Sequence, residues 1–150
     1  MPDKTSDRNS KGSVNVADLC CVCGKGFSIF RWKWFSCAFC GKPMHFFCDS
    51  PYGDSITSLH ACPSCLAAGD HIRTHSANYM GKVFVKSGYG SLGLKSNWYK
   101  DKEKALGELK ILAGVSGYTA VREIRYNYET RRDGNYIYKI WSATGIACVI

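Results

Sequence analysis

The clearest alternation of apolar and polar residues lies in the C-terminal half of the chain. Between Tyr118 and Tyr128 the even positions are mostly apolar, whereas the odd positions carry Glu123, Arg125 and Asn127. A period of two residues is typical of a β-strand with one face buried. We therefore predict a long strand here, with those three polar residues on its other face.

A second strand is predicted directly after the first. The pair Asp133-Gly134 is the usual signal of a type I′ hairpin turn, and an apolar-rich stretch runs from Tyr136 to about Val149. Gly145 interrupts that stretch, and a glycine inside a strand indicates a bend or bulge. Together the two stretches predict a hairpin.

Upstream of this hairpin the pattern predicts one strand and one helix. The strand is Gly81–Lys86. Asn97 or Asp101 can cap a helix that runs to about Ala113, with a buried stripe formed by Ala105, Leu109 and Leu112. Residues 81–150 thus predict a β-α-β-β domain with a three-stranded sheet and one helix, and the chain as a whole is predicted to be α+β.

The N-terminal half shows little apolar periodicity. Residues 1–17 are polar and predict a flexible tail. Residues 67–80 predict a linker with a short helix, which separates a module at 18–66 from the domain at 81–150. If the two are separate, loss of order in the module should leave the domain folded.

One stretch of the module alternates in part like a strand. Between Phe27 and Phe35 the large aromatics Trp32 and Trp34 would share a face with Phe30. That face would either form a small core or bind a partner. The candidate partner-binding residues are Arg31, Trp32, Lys33 and Trp34.

Cysteine spacing explains how so short a module could fold. Three C-x-x-C pairs and one H-x-x-C pair lie between Cys20 and Cys65. Each pair can place two ligands on one tetrahedral Zn²⁺, so eight ligands predict two ions. The predicted ligands are Cys20, Cys23, Cys37, Cys40, His45, Cys48, Cys62 and Cys65. With no position left for water, both zinc ions would be structural rather than catalytic.

The remaining cysteines and histidines have weaker patterns. Cys21 and Cys148 are left over, and His60 lies close enough to Cys62 to replace it as a ligand. His71 and His75 have the helical i, i+4 spacing of a metal-binding pair, without a convincing third ligand nearby. We therefore expect no third metal site.

The ligand order of four cysteines, one histidine and three cysteines resembles a PHD finger. The resemblance covers Cys20–Cys65 and is carried by the sequences Trp-Phe-Ser-Cys-Ala-Phe-Cys, Met-His-Phe-Phe-Cys and Cys-Pro-Ser-Cys. It implies a treble-clef, cross-braced fold, with one zinc held by Cys20, Cys23, His45 and Cys48 and the other by Cys37, Cys40, Cys62 and Cys65. It also implies a protein or peptide partner. The chain has His60 where PHD fingers usually carry a large aromatic, and Ala38 where many histone readers carry an acid.

Two other resemblances give further expectations. Val22 and Pro63 are similar to the positions by which RING modules dock a conjugating enzyme, which implies a ubiquitin-ligase-like alternative, although a RING usually has its histidine fourth among the ligands. Residues 81–150 are similar to small bacterial β-α-β-β families, the dodecin-like and YbjQ-type proteins. That resemblance implies a homo-oligomer covering the open sheet face.

Charge adds an alternative partner. The chain carries a net charge of +8; residues 81–150 have twelve Lys/Arg and six Asp/Glu and so contribute +6, against +2 from residues 1–80. A basic half indicates a polyanionic partner such as nucleic acid. Nucleic acid could contact the Arg31–Phe35 stretch as well as the C-terminal half.

No nucleophile–base pair or paired-carboxylate pattern appears, so we expect a non-enzymatic binding adaptor. Reduced thiols without an export signal predict an intracellular protein, cytoplasmic or, in a eukaryote, nuclear. No apolar run is long enough to predict a membrane span.

Overall fold

The computed structural model describes residues 19–27 and 33–150. The predicted tail at 1–17 lies outside these residues, as do Arg31 and Trp32 of the predicted partner-binding stretch. Within the described residues, no helix is long and apolar enough to cross a membrane. Helices and sheets occur together, which confirms the predicted α+β class.

The N-terminal half consists of short elements around the cysteine pairs. Strands β1 (Trp34–Ser36) and β2 (Pro43–His45) form one antiparallel hairpin, and a single 3-10 turn at Phe46–Cys48 follows. Strands β3 (Tyr52–Gly53) and β4 (Ser58–Leu59) form a second hairpin. Helix α1 (Pro63–Ala68) then begins at the last cysteine pair, with Cys62 as its N-cap.

The C-terminal half is one sheet with one long helix. Its elements are β5 (Arg73–Ser76), β6 (Leu92–Lys95), α2 (Lys102–Val115), β7 (Ala120–Asp133) and β8 (Tyr136–Cys148). The strand order is β5-β7-β8-β6, in which β5 runs parallel to β7 and the other neighbours are antiparallel. Helix α2 packs on β7 and β8.

The structure corrects three details of the predicted domain. Gly81–Lys86 is not a strand, and Leu92–Lys95 takes the place at the edge of the sheet. The linker at 67–80 holds the strand Arg73–Ser76, not a short helix of its own. The sheet therefore has four strands instead of three. The division of the chain into two separate folding units stays a prediction.

Helix α2 begins where its cap was predicted. The Asp101 side chain accepts a hydrogen bond from the Glu103 N–H at 2.9 Å, which satisfies a free donor of the first turn. Of the predicted stripe, Ala105 and Leu109 are fully buried, whereas Leu112 is half-buried. Ile111 is also buried, on a different side of the helix, and so α2 is covered on two faces.

The long hairpin of β7 and β8 is bent by a bulge. Glu123 and Ile124 together oppose the single residue Gly145, because the register shifts between Arg122 and Arg125. The bulge is thus on β7 and the predicted glycine lies opposite it, where a Cβ would come within 2.6 Å of Val121. Glu123 takes a φ of 54°, a left-handed conformation that side chains other than glycine adopt at a cost.

The turn between β7 and β8 differs from the predicted type. Asp133 pairs with Tyr136, which leaves Gly134 and Asn135 as the two central residues. Gly134 has a φ of 57°, whereas Asn135 is not among the described residues with positive φ. A type I′ turn needs a positive φ at both central residues, so the type I′ prediction was wrong.

Two apolar clusters form the core, and Tyr52 contacts both. One cluster lies between α2 and the sheet, and the other surrounds the cysteines and includes Ile111 from α2. The Tyr52 hydroxyl donates to the Lys104 carbonyl at 2.6 Å. Helix α2 thus packs against the sheet on one side and against the cysteine region on the other.

Hydrogen bonds reinforce this contact at the start of α2. The Asp54 carboxylate, in the β3–β4 hairpin, accepts from the backbone N–H groups of Ile56, Thr57, Lys100 and Asp101. Partial burial alone would raise the pKa of Asp54, but these four donors hold that pKa below its ordinary value of 3.8. The stabilising effect of this carboxylate is therefore complete at neutral pH and is lost only as the pH falls through that lowered pKa.

Candidate metal centres

The structure brings the predicted ligands together as two groups of four. Within each group the candidate ligand atoms all lie within 4.8 Å of one another. The first group is Cys20, Cys23, His45 and Cys48, and the second is Cys37, Cys40, Cys62 and Cys65. Each group could hold a metal ion, and the interleaved pairing is the one that the PHD resemblance implies.

Both groups begin with the same backbone turn. In the first, the Gly24 N–H donates to the Cys20 carbonyl and the Cys20 N–H donates to the Lys25 carbonyl, each at 2.9 Å. In the second, Gly41, Cys37 and Lys42 repeat these two bonds at 2.8 and 2.9 Å. The glycines have φ values of 70° and 71°, which explains why the first C-x-x-C pair of each group is followed by a glycine.

The second pair of each group approaches in the same way as well. The His45 N–H lies 3.5 Å from the Cys20 sulfur, and the Cys62 N–H lies 3.4 Å from the Cys37 sulfur. In both cases the backbone donor belongs to the first residue of the later pair. The second group therefore repeats the first with a constant offset of 17 residues (37 − 20 and 62 − 45), a regularity that the sequence contains and that analysis of the pairs alone missed.

Hydrogen bonds favour the thiolate form of one sulfur in each group. Burial alone would raise the pKa of Cys20, but backbone donors from Cys23 and His45 lower it to about 6. Burial would also raise the pKa of Cys62. Hydrogen bonds from Ser64 and Cys65 lower that pKa to about 6. Thiolate is the form that binds metal, so each group holds one sulfur that favours a cation. Burial has the opposite effect on three other thiols of the groups and raises the pKa of Cys40, Cys48 and Cys65.

His45 is oriented by two contacts. Its Nδ1 lies 3.4 Å from the Cys23 sulfur, and its Nε2 lies 3.2 Å from the Gly26 carbonyl oxygen. The carbonyl can only accept, so Nε2 carries the hydrogen and Nδ1 has a free lone pair toward the cluster. The ring also packs on Phe27, with centroids 4.6 Å apart.

His60 is not part of either group. Its ring stacks on Phe35 at 3.7 Å, nearly parallel, and its Nδ1 lies 2.6 Å from an Asp49 oxygen. Its ring therefore packs in an aromatic contact and belongs to neither candidate metal group. Among the described residues, no candidate metal group includes His71 or His75.

The two left-over cysteines also lie outside the groups. Cys21 is half-buried beside the second group, in an open depression with Leu19, Lys42 and Pro43. Cys148 is fully buried in the sheet, where burial raises the pKa of its thiol.

The described part of the predicted partner-binding stretch is at the surface. Lys33 is exposed and Trp34 is 56% exposed, whereas Phe35 turns inward and pairs with the buried Met44. The face that was predicted either to form a small core or to bind a partner is therefore open to solvent at Trp34.

Sequence reasoning did not predict that Phe46 and Phe47 add to this surface. They are 51% and 78% exposed, and the Phe46 N–H donates to the Lys33 carbonyl at 3.1 Å. Their position was the available signal. They lie between two ligands, His45 and Cys48, whose side chains both turn toward the same cluster, so the residues between them turn outward. We call Lys33, Trp34, Phe46 and Phe47 the aromatic patch.

Comparison with family models, characterised proteins and solved structures finds no match to this chain.

Proposed function

We propose that each group of four ligands binds one structural Zn²⁺. The fit is chemical and geometric. Thiolate and imidazole are ligands that zinc prefers, and a Zn–S distance of about 2.3 Å gives a tetrahedron with an S···S edge of about 3.8 Å. The Cys40 and Cys62 sulfurs are 3.9 Å apart.

The first group fits the same ion. With Zn–N of about 2.0–2.1 Å, an S···N edge of about 3.6 Å is expected, and the Cys23 sulfur and His45 Nδ1 are 3.4 Å apart. Bound zinc would supply folding free energy, about 10–16 kcal/mol per site in small finger peptides. The protein residues supply the pre-formed knuckles and the Gly26 carbonyl that fixes the histidine tautomer.

The function that we propose is a non-enzymatic zinc-finger adaptor with a PHD-like, treble-clef module. The ligand order and the interleaved groups support the PHD-like fold. The aromatic patch supports binding of a protein or peptide, because large rings that remain exposed in a cluster commonly mark a docking site. Trp34 is the observation that carries this proposal, since it is 56% exposed although it lies next to the ligand His45 in the hairpin register.

The experiment is a peptide-library selection against the zinc-loaded chain. Affinities of the selected peptides are then measured for Trp34→Ala and Phe47→Ala, with Phe84→Ala as the control because Phe84 is 79% exposed outside the patch. We expect each patch variant to weaken binding at least tenfold, with zinc content unchanged, and the control to bind normally. Loss of zinc from Trp34→Ala, or equal binding by all variants, would contradict the proposal.

A second candidate function is nucleic-acid binding by the basic C-terminal half. The supporting observation is a set of lysines on aromatic rings: the Lys102 ammonium lies 4.1 Å from the Tyr126 ring centre, and those of Lys100 and Lys139 lie 4.7 and 4.6 Å from the Tyr138 and Tyr128 rings. In such an arrangement the cations can bind phosphates and the aromatic rings can stack bases.

The test is the affinity for single-stranded oligonucleotides, which should fall steeply with salt. Arg125→Glu should weaken this affinity, since Arg125 is exposed on the same sheet. A flat salt dependence would argue for the peptide partner.

The ubiquitin-ligase-like alternative has its own test. Val22 is 41% exposed and Pro63 is exposed as well, so both are accessible to a conjugating enzyme. A discharge assay with a panel of ubiquitin-loaded conjugating enzymes distinguishes this alternative from an adaptor. An adaptor would leave the discharge rate unchanged.

A further inference from the structure

The hairpin of β7 and β8 extends beyond the rest of the sheet. β5 pairs with β7 only as far as Ile124, and β6 pairs with β8 only from Thr144 to Ala147. Beyond an isolated bridge at Trp141, the two strands continue as a ribbon to the turn at 134–135. On β7 every residue from 127 to 133 is exposed.

The outer edge of β7 in this ribbon carries unpaired backbone groups. The Ala77 N–H donates to the Ile124 carbonyl, so Ile124 points its backbone groups away from β8. Successive residues of a strand alternate in this direction, and the register with β8 is regular from Arg125 onward. The N–H and C=O groups of residues 126, 128, 130 and 132 therefore point outward. In the part of the chain that the structure describes, no strand pairs with them.

Such an edge can pair with another strand, and its charge pattern selects a second copy of itself. Two copies meeting antiparallel around a two-fold axis at Thr130 would bring outward-pointing residues opposite each other. Glu129 would then face Arg131 of the second copy, and Arg131 would face Glu129. Tyr128 would face Arg132, which allows a cation–π contact. Because of the two-fold symmetry, the opposite-charge pair and the aromatic pair each occur twice.

Neighbouring registers lack this complementarity. Backbone pairing requires outward residues to oppose outward residues, so the axis moves in steps of one residue. An axis at Glu129 places two glutamates together, and an axis at Arg131 or Arg132 places two arginines together. Like charges directly opposite in a ladder are destabilising. The register centred on Thr130 avoids all of these contacts.

We propose that two copies of the chain associate through the outer edges of β7, antiparallel, with Thr130 on the two-fold axis. The pairing would join the two sheets along the ribbon, where the strand order at the junction is β8-β7-β7-β8, while β5 keeps its place on the first part of each β7. It uses the strand edge and not the sheet face, and it places the two aromatic patches in one assembly, so that a peptide partner with two copies of its motif would bind with higher avidity.

The first test is a cross-link in the zinc-loaded full chain. Residues opposite each other in a backbone-bonded antiparallel pair have Cα atoms about 5.5 Å apart, within the range of a disulfide. Thr130→Cys should therefore form a covalent dimer in a glutathione redox buffer. Lys139→Cys is the matched control, because Lys139 opposes Thr130 in the ribbon and is also exposed. In the proposed dimer the two Lys139 residues lie about 15 Å apart, two strand spacings further than the central pair.

The second test is a charge swap, read by the dissociation constant of the dimer in sedimentation. Arg131→Glu should weaken association at least tenfold, because it places two acids opposite each other. The double variant Glu129→Arg, Arg131→Glu restores both pairs in the opposite sense and should restore the dimer. A monomeric wild-type chain, a dimer that tolerates Arg131→Glu, a double variant that stays monomeric, or equal cross-linking of both cysteine variants would each overturn the proposal.

Discussion

At the scale of single residues, Glu108 connects the segment that precedes α2 to the helix itself. Its carboxylate is buried at 4% exposure and accepts from the Asn97 N–H, the Asn97 side-chain amide and the Tyr99 hydroxyl, all within 2.9 Å. Burial, and then the neighbouring carboxylate, raise the pKa of Tyr99, so the hydroxyl stays a donor. The sequence did not predict this, because an acid on a helix is usually exposed.

We expect Glu108→Ala to lower the free energy of unfolding by about 3 kcal/mol, since it leaves buried donors without an acceptor. Glu108→Gln keeps one acceptor oxygen and should have a smaller effect. Urea unfolding of the zinc-loaded protein measures both, with Glu103→Ala as an exposed control on the same helix. Equal effects of Glu108→Ala and the control would show that these hydrogen bonds contribute little.

Glu123 is the residue where a substitution should stabilise the chain. Its φ of 54° is unfavourable for any side chain, by about 1–2 kcal/mol, and its contact with Arg122 lies at the surface, where ion pairs contribute little. Glu123→Gly should therefore raise the free energy of unfolding by about 1 kcal/mol. Glu123→Ala, which removes the carboxylate and keeps the strain, should not. Thermal melts of the two variants compare them directly, and a stabilised alanine variant would contradict this explanation.

At the scale of elements, Gly107 lets helix α2 approach the cysteine region. A Cβ at this position would overlap the Tyr52 hydroxyl, which donates to the Lys104 carbonyl one turn earlier. From the sequence, Gly107 only weakens a helix. The structure shows that its missing side chain is the space for another element.

We expect Gly107→Ala to destabilise the protein by about 1–3 kcal/mol through overpacking, even though alanine favours helix by about 1 kcal/mol over glycine. In a Tyr52→Phe background the overlapping oxygen is gone, and the nearest remaining ring carbon would be 3.2 Å away. The penalty should therefore fall, with a coupling above about 1 kcal/mol in a double-mutant cycle. Additive effects would mean that the two residues do not interact.

The elements that sequence reasoning placed correctly have strong local signals. Asp101 caps α2, Asp133-Gly134 ends β7, and the cysteine pairs lie at fixed spacing. Arg73–Ser76 was missed because an exposed edge strand has no apolar alternation to detect. Gly81–Lys86 has the β-branched and aromatic residues typical of a strand, yet it makes only one backbone hydrogen bond near the end of β8, from the Lys86 N–H to the Val149 carbonyl. The residue pattern predicts which segments could form a strand. Whether a sheet edge is free to pair with such a segment depends on the whole fold.

At the scale of the whole molecule, helix α2 connects the two groups of candidate ligands to the sheet. Ile111 is 4% exposed in the cysteine cluster, Leu109 is fully buried against the sheet, and Gly114 lies so close to Ala68 of α1 that a Cβ would overlap its carbonyl oxygen. No pattern in the sequence could assign these partners, because helical periodicity gives the buried side and not what covers it.

Removal of zinc should therefore affect α2 as well as the residues around the ligands. We expect Cys40→Ser to lower the zinc content below two per chain and to increase amide exchange at Leu109 and Ala113 at least tenfold. Cys21→Ser, one residue from a ligand but outside both groups, is the control and should change neither. Protection of α2 that survives zinc loss would instead support the prediction that residues 18–66 and 81–150 fold as separate units.

The position of Ile111 has a consequence for synthesis. All eight ligands have left the ribosome once Cys65 has emerged, but Ile111 follows 46 residues later (111 − 65). With the two zinc sites that we propose, the nascent chain would capture both ions while the hydrophobic surface around the buried cysteines is still open to water on the side that α2 later covers. Metal would then bind before α2 is made. The cysteine cluster becomes shielded from competing thiols only after the second half of the chain has been synthesised and α2 has packed on it.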